Sequence, residues 1–163
     1  MEAANVVFVP GLALALGVPR DLIEAVAIGL AMVASAGFLI VGAAYWRGVD
    51  RRLRFRDRVS LERALRLADR AEWPLLLTGG GAIVATLLAL PSQGWSSAVI
   101  ASALLALLAS LEYINYYHRQ LQHFDNRDDL KRLLTGRGFR PSHMARDLSA
   151  WRKQRLSAVR IAT

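Results

Sequence analysis

Charged residues are missing from two long stretches of the chain. None occurs from Ala25 to Trp46, a run of 22 residues, and none from Trp73 to Leu111, a run of 39. As one helix the longer run would measure about 58 Å at ~1.5 Å per residue, against a bilayer core of ~30 Å, so it must fold back once. Pro91-Ser92-Gln93-Gly94-Trp95 is the place, because proline and glycine punctuate helices and Ser96 or Ser97 can cap the next one. The pattern predicts a helical hairpin over roughly 74 to 90 and 97 to 117. It also predicts a span from about Leu22 to Trp46, opened by Asp21 as N-cap with Glu24 three residues on. A chain of 163 residues is too short to wrap three such helices in soluble protein.

The ends of these runs supply an orientation. The segment from Arg47 to Glu72 holds nine Arg against five acids, and the tail from Tyr117 onward holds eleven Lys or Arg against four, whereas the Pro91 to Trp95 turn holds none. Short basic loops stay in the cytoplasm during insertion, which places the 47–72 loop and the C-terminus inside and the hairpin turn outside. Tyr45, Trp46, Trp73, Tyr113, Tyr116 and Tyr117 fall at the inner boundaries and Trp95 at the outer one, as interfacial anchors would. The segment from Ala3 to Pro19 is apolar but short and broken by Pro10-Gly11. Glu2 stands where a secretory signal would carry a cation, so the segment reads as retained, either lying in the interface or crossing as a broken fourth span.

Composition agrees with this picture. A net charge of +8 coexists with 54% apolar residues and a mean hydropathy of +0.28. That pairing argues against a soluble enzyme and against a disordered basic tail, and the absence of cysteine excludes a disulfide framework and thiolate chemistry. The domain reading is an N-terminal apolar segment (1–21), a first span (22–46), a basic loop with an amphipathic helix (47–73), a transmembrane hairpin (74–117) and a basic helical tail (118–163). In the loop, Ser60 opens a helix whose Leu61, Ala64, Leu65 and Ala68 form one stripe, and Pro74 is expected to end or kink it. In the tail, Asp125 is placed to cap a helix over about 126–135. Ser142 is placed to cap another, with Met144, Leu148, Trp151 and Ala158 near one face.

Candidate chemistry concentrates where the third span leaves the bilayer. At helical spacing Glu112, Asn115, Tyr116, Arg119, Gln122 and His123 share a face. One account has these groups locking the helix to its neighbours, with Arg119 as counter-charge to Glu112; the other has them lining a proton, ion or ligand site at the mouth of the bundle. Asp125, Asp128 and Asp129 are a candidate Mg²⁺ set for a lipid-phosphate enzyme, although acids at a helix start also compensate its dipole. Gly79-Gly80-Gly81 lacks the Lys and Ser/Thr of a phosphate loop, and no histidine falls in a span to hold haem. Gly29, Gly37 and Gly42 in the first span and Gly79, Gly80 and Gly81 in the second mark faces for close helix packing.

The sequence therefore predicts an all-α integral membrane protein with three transmembrane helices, or four if the N-terminal segment crosses, plus cytoplasmic amphipathic helices. Its expected role is a non-enzymatic assembly or accessory subunit of a bacterial inner membrane. The alternatives are an oligomeric channel or transport component and a metal-dependent membrane enzyme. No cofactor is expected. The expected partners are the bilayer with its anionic headgroups and further copies or subunits of a larger complex; nucleic acid is the least supported, since Trp151 alone does not make a stacking platform.

Overall fold

The computed structural model describes Gly11, Ala15, residues 17–121 and residues 140–162, with side chains described as far as Ser157. Most of the N-terminal apolar segment, the expected 126–135 helix, and Gln122, His123, Asp125, Asp128 and Asp129 lie outside the described residues. Among the described residues the chain is all-helical: α1 (Leu22–Phe55), α2 (Arg58–Gln93), α3 (Ser97–Tyr117) and α4 (His143–Ala162). The first three are long and apolar enough to span a membrane.

Local chemistry sets the helix starts. The Asp21 carboxylate accepts from the Glu24 N–H at 2.8 Å, Ser96 Oγ accepts from the Val99 N–H at 3.2 Å, and Ser142 Oγ accepts from the Ala145 N–H at 2.9 Å. Each satisfies a donor that the first turn leaves without a helical partner. Gly94, at φ 59°, ends α2 in a conformation that side-chain-bearing residues rarely adopt.

The basic segment differs from the expected loop. α1 continues past Trp46 to Phe55, the chain reverses at Arg56 and Asp57, and α2 starts at once. Arg and Leu are good helix formers, Asp50 and Arg54 pair one turn apart at 2.6 Å, and Arg56 takes the left-handed conformation (φ 55°) that closes α1. Asp57 then caps α2 through the Ser60 N–H at 3.2 Å. Nor does the helix stop at proline: α2 runs through both Pro74 and Pro91. The Pro74 carbonyl accepts from Thr78 Oγ1 at 2.7 Å, and the flanking turns are held against α1 by packing, which outweighs the one backbone bond that proline removes.

α1 is the central element and packs along α2 and against α3. Near the Trp95 end the core is Ile28, Ala31, Ala82, Ala101, Leu105 and Ala106; toward the other end it is Ala34, Phe38, Val41 and Tyr45 of α1 with Leu61, Leu65 and Ala68 of α2, Tyr116 and Tyr117 of α3, and Met144 and Leu148 of α4. Small residues let the backbones approach, and van der Waals contact is what holds apolar helices together when their surroundings are equally apolar. The outward faces carry Leu77, Leu87, Leu88 and Leu104, more than half exposed. Trp73 and Trp95 lie 22 positions apart, about 33 Å along a helix, close to the ~30 Å of a hydrocarbon core. By that gauge the residues from Arg47 to Glu72 form a helical stalk beyond the apolar zone, and α4 lies against it.

Candidate functional site

Polar side chains gather at three levels of the bundle. At the Trp95 end, Glu24 is 1% exposed, and its carboxylate accepts from the Arg20 N–H at 2.6 Å and from the Ser96 hydroxyl. Beside it Gln93 Nε2 donates to Asp21 at 2.6 Å. The N-terminus of α1 is thus tied to the turn between α2 and α3. The sequence pattern makes Glu24 a capping partner, but its side chain serves a longer-range join. At mid-height Thr86 Oγ1 bonds the Ala82 carbonyl at 2.7 Å and also meets Ser102 Oγ, which is fully buried, linking α2 to α3 inside an otherwise apolar layer.

The third level is the basic end, where α4 docks. Arg152 reaches from α4 to α2, where its guanidinium donates to Asp69 at 2.6 Å and to Glu72. Burial works against the charged guanidinium, but the hydrogen bonds it donates to Glu72 and Asp69 prevail and raise its pKa. The Tyr45 hydroxyl of α1 donates to Asp147 of α4 at 2.9 Å, and the Tyr117 hydroxyl of α3 donates to the Ala68 carbonyl of α2 at 2.7 Å. Ser142 donates to the Tyr116 carbonyl, so the cap of α4 also fastens it to the end of α3. Phe38, Tyr113, Tyr117 and His118 form an aromatic row with neighbouring centroids 5.0 to 6.3 Å apart, ordinary tilted and stacked separations. Every described helix contributes to this junction.

Of the polar cluster singled out on the sequence, the described members are Glu112, Asn115, Tyr116 and Arg119, at the end of α3 beside this junction. Asn115 and Tyr116 come together, lining with Gln120, Ser142 and His143 a cavity of ≈ 30 Å³, about the volume of one water. Asn115 Oδ1 accepts from the Leu121 N–H at 2.9 Å and closes the turn after α3, while the Tyr116 ring is buried against Gly42. Arg119 is exposed and forms an isolated antiparallel bridge with Pro141; Glu112 is half-buried. Among the packing glycines, a Cβ on Gly42 would run into the Tyr116 ring, one on Gly37 into the end of Leu75, and those on Gly79 and Gly81 would touch Ala34 and Leu30 at 3.8 and 3.5 Å. Among the described residues, nothing lies within 4 Å of a Cβ on Gly29 or Gly80, so neither marks a close approach there.

Sequence reasoning missed Tyr45, Asp69, Glu72, Asp147 and Arg152 as one junction. The available signal was modest: Asp69 and Glu72 lie three apart, hence on one helix face, beside the start of an uncharged run. Their partner is some 80 residues away.

What the junction leaves exposed is mostly cationic, with Glu62 as an exposed acid among the arginines. Asp50 is held by Arg54, Asp57 by its cap and by Arg51 at 3.8 Å, and Asp69 and Glu72 by Arg152. Hydrogen bonds from the Ser60 hydroxyl, then from its N–H, lower the Asp57 pKa, keeping it ionised. Arg47, Arg51, Arg52, Arg54, Arg56 and Arg58 all stand exposed along the stalk. A groove of ≈ 380 Å³ between the stalk and α4 is lined by Arg52 and Arg58, by the acids Glu62 and Asp147, and by Leu61, Leu65 and Trp151.

Comparison with protein-family models, with curated proteins and with solved structures finds no match to this chain. The functional reading rests on its own geometry.

Proposed function

We propose that the chain is a non-enzymatic assembly or accessory subunit of a multi-pass membrane complex, its basic helical head held in the cytoplasm for binding and its spans held together mainly by packing. The observation that supports this most is the junction at the basic end. α4 is fastened to α1, α2 and α3 by Tyr45–Asp147, Arg152–Asp69/Glu72 and Ser142–Tyr116, and four of the five acids of the stalk, Asp50, Asp57, Asp69 and Glu72, are engaged within the chain, so that the arginines dominate the outward surface of a braced frame. A frame of this kind suits docking. The interior of the spans is filled by Ala31, Ala34, Phe38 and Ala82 at 1% exposure or less, which supports a packed bundle over an aqueous path within one chain. The excess of arginine on this end supports the cytoplasmic assignment and an inner membrane of bacterial type.

Two measurements test the reading. Extracted from its native membrane in a mild detergent, the protein is expected in a particle containing other copies or other subunits, well above its 17.9 kDa protomer. Reconstituted alone in liposomes, it is expected to leave ion gradients intact. An isolated protomer in the first experiment, or a flux abolished by Glu112→Gln in the second, would replace this proposal with the transport alternative.

A further inference from the structure

The tip of the stalk combines two features that seldom coexist on an unpartnered surface. Leu53, Phe55 and Val59 are 76%, 72% and 54% exposed, and Arg51, Arg52, Arg54, Arg56 and Arg58 stand between and beside them. The groove alongside begins at Arg52 and Arg58, the sequence neighbours of Leu53 and Val59, and continues over Leu61, Leu65 and the half-buried Trp151.

Distance decides what such a surface can meet. Phe55 lies nine positions beyond Trp46 and Arg58 fifteen before Trp73, about 14 and 22 Å along the helices. The headgroup layer on one side of a bilayer occupies only roughly 5 to 8 Å, and at physiological ionic strength charge is screened within about 8 Å. The apolar side chains of the tip therefore cannot dip into the membrane that holds the spans, and its arginines feel the headgroups weakly. A second copy of the same tip would bring arginine against arginine, a like-charge contact that costs affinity. Of the acids nearby, Asp50 is held by Arg54, Asp57 by the start of α2 and Asp147 by the Tyr45 hydroxyl, while Glu62 is an exposed carboxylate on the groove wall; against it stand the five exposed arginines of the tip, so the surface stays cationic.

The geometry points to a protein partner: the stalk tip and the groove beside α4 are a docking surface for an acidic amphipathic segment of a cytoplasmic protein, whose apolar side chains cover Leu53, Phe55 and Val59 while its carboxylates face the arginines. A helix-in-groove contact of this kind takes its affinity from a few apolar anchors and its selectivity and rate of encounter from charge. The inference rests on the assembly reading above and names the chemistry of the partner.

The test uses the full chain in nanodiscs of neutral phosphatidylcholine. The probe is a synthetic helix of Leu and Glu with its leucines at i, i+3, i+4 and i+7; its scrambled counterpart and a version with Lys for Glu serve as controls. The Leu/Glu helix is expected to bind at least ~10-fold more tightly than either control, and more weakly as salt is raised. Leu53→Ser with Phe55→Ser, and separately Arg52→Glu with Arg58→Glu, are each expected to weaken binding ~10-fold, with unchanged thermal unfolding because these side chains are exposed. No binding, or equal binding of the scrambled helix, overturns the proposal. So does capture of phosphatidylserine vesicles by the nanodisc-held protein in a Phe55-dependent manner, which would assign the tip to an apposed membrane. Detergent extraction of the wild-type chain, set beside its own peptide binding, separates the two readings. If a large native particle persists while the peptide fails, only the docking surface is wrong; if the wild-type chain extracts as an isolated protomer, the assembly reading falls whatever the peptide does.

Discussion

Gly48 is buried where the stalk leaves the apolar zone, and a Cβ built on it would lie 2.9 Å from Leu61 Cα and 3.2 Å from the Ser60 carbonyl oxygen. Both neighbours are backbone, so neither can rotate away. Carbon atoms rest at about 3.5 to 4.0 Å, so alanine here requires α1 and α2 to separate by roughly half an ångström or more. Forcing a methyl into a close-packed contact costs about 1 to 3 kcal/mol. Gly80 gives the matched control, since among the described residues its Cβ would meet nothing within 4 Å. The gain in helix propensity from glycine to alanine, about 1 kcal/mol, applies to both sites and cancels in their difference. Gly48→Ala is therefore expected to be less stable than Gly80→Ala by about 1 to 3 kcal/mol. Stepwise addition of SDS to protein in mild-detergent micelles, followed by far-UV circular dichroism, measures this difference. Equal midpoints for the two variants would refute the close approach of α1 and α2, and with it the zipped stalk on which the proposed docking surface depends.

Four further outcomes follow from the polar contacts. Arg152→Met removes the tie between α4 and α2; with the three side chains 17 to 42% exposed, solvent screening limits the loss to about 1 kcal/mol, read as amide exchange across residues 143–157 roughly five-fold faster. Tyr45→Phe deletes the hydrogen bond to Asp147 and is expected to cost about 0.5 to 1.5 kcal/mol in the same SDS titration, with the α4 amides the first to exchange. Glu24→Ala leaves the Ser96 hydroxyl and the Arg20 N–H without their acceptor in a buried site and should cost about 1 to 3 kcal/mol, whereas Glu24→Gln keeps a carbonyl acceptor and should cost less; equal losses would mean that charge and not hydrogen bonding matters there. Asp57 has a folded-state pKa below its ordinary value of 3.8, so its contribution is complete above that value and is lost as pH falls through the lower folded one. Amides 58–61 should accordingly lose protection only below about pH 4, and not between pH 5 and 8.

The parts of the fold legible in the sequence are those governed by solvation and by contacts within four residues. Uninterrupted apolar runs announce the three long helices, and Asp21, Ser96 and Ser142 announce their caps, because a cap needs only its own side chain and the next turn. The stalk was hidden for a related reason. Arginine density between Arg47 and Arg58 resembles a solvated loop, while the facts that make it helical, Gly48 against Leu61 and α4 alongside, join positions far apart in the chain or masked by their charged neighbours. The same holds for the site. The Asn115–Tyr116 pair was visible as a local cluster of polar residues, but the structure uses both in joining α3 to the chain that follows and to α1. Arg152 with Asp69 and Glu72, and Glu24 with Ser96, pair residues more than 70 positions apart, which no periodicity within a helix encodes.

The placement of those long-range pairs bears on how the molecule can bind others without loosening. Between its two ends the bundle relies, among the described residues, on small residues and the Thr86–Ser102 link, interactions that resist separation but discriminate poorly between neighbouring registers of apolar helices. The Glu24–Ser96 clasp fixes the register at the Trp95 end, and the Tyr45, Asp147 and Arg152 contacts fix it at the other, each at a point where a slip of one turn would strand a carboxylate. With both ends fixed, exposed residues at the stalk tip are free to vary without changing the bundle, so loss of binding in the Leu53/Phe55 and Arg52/Arg58 variants would report on docking itself. A fall in bundle stability in either variant would show the tip to be part of the fold and would withdraw it as a surface for a partner.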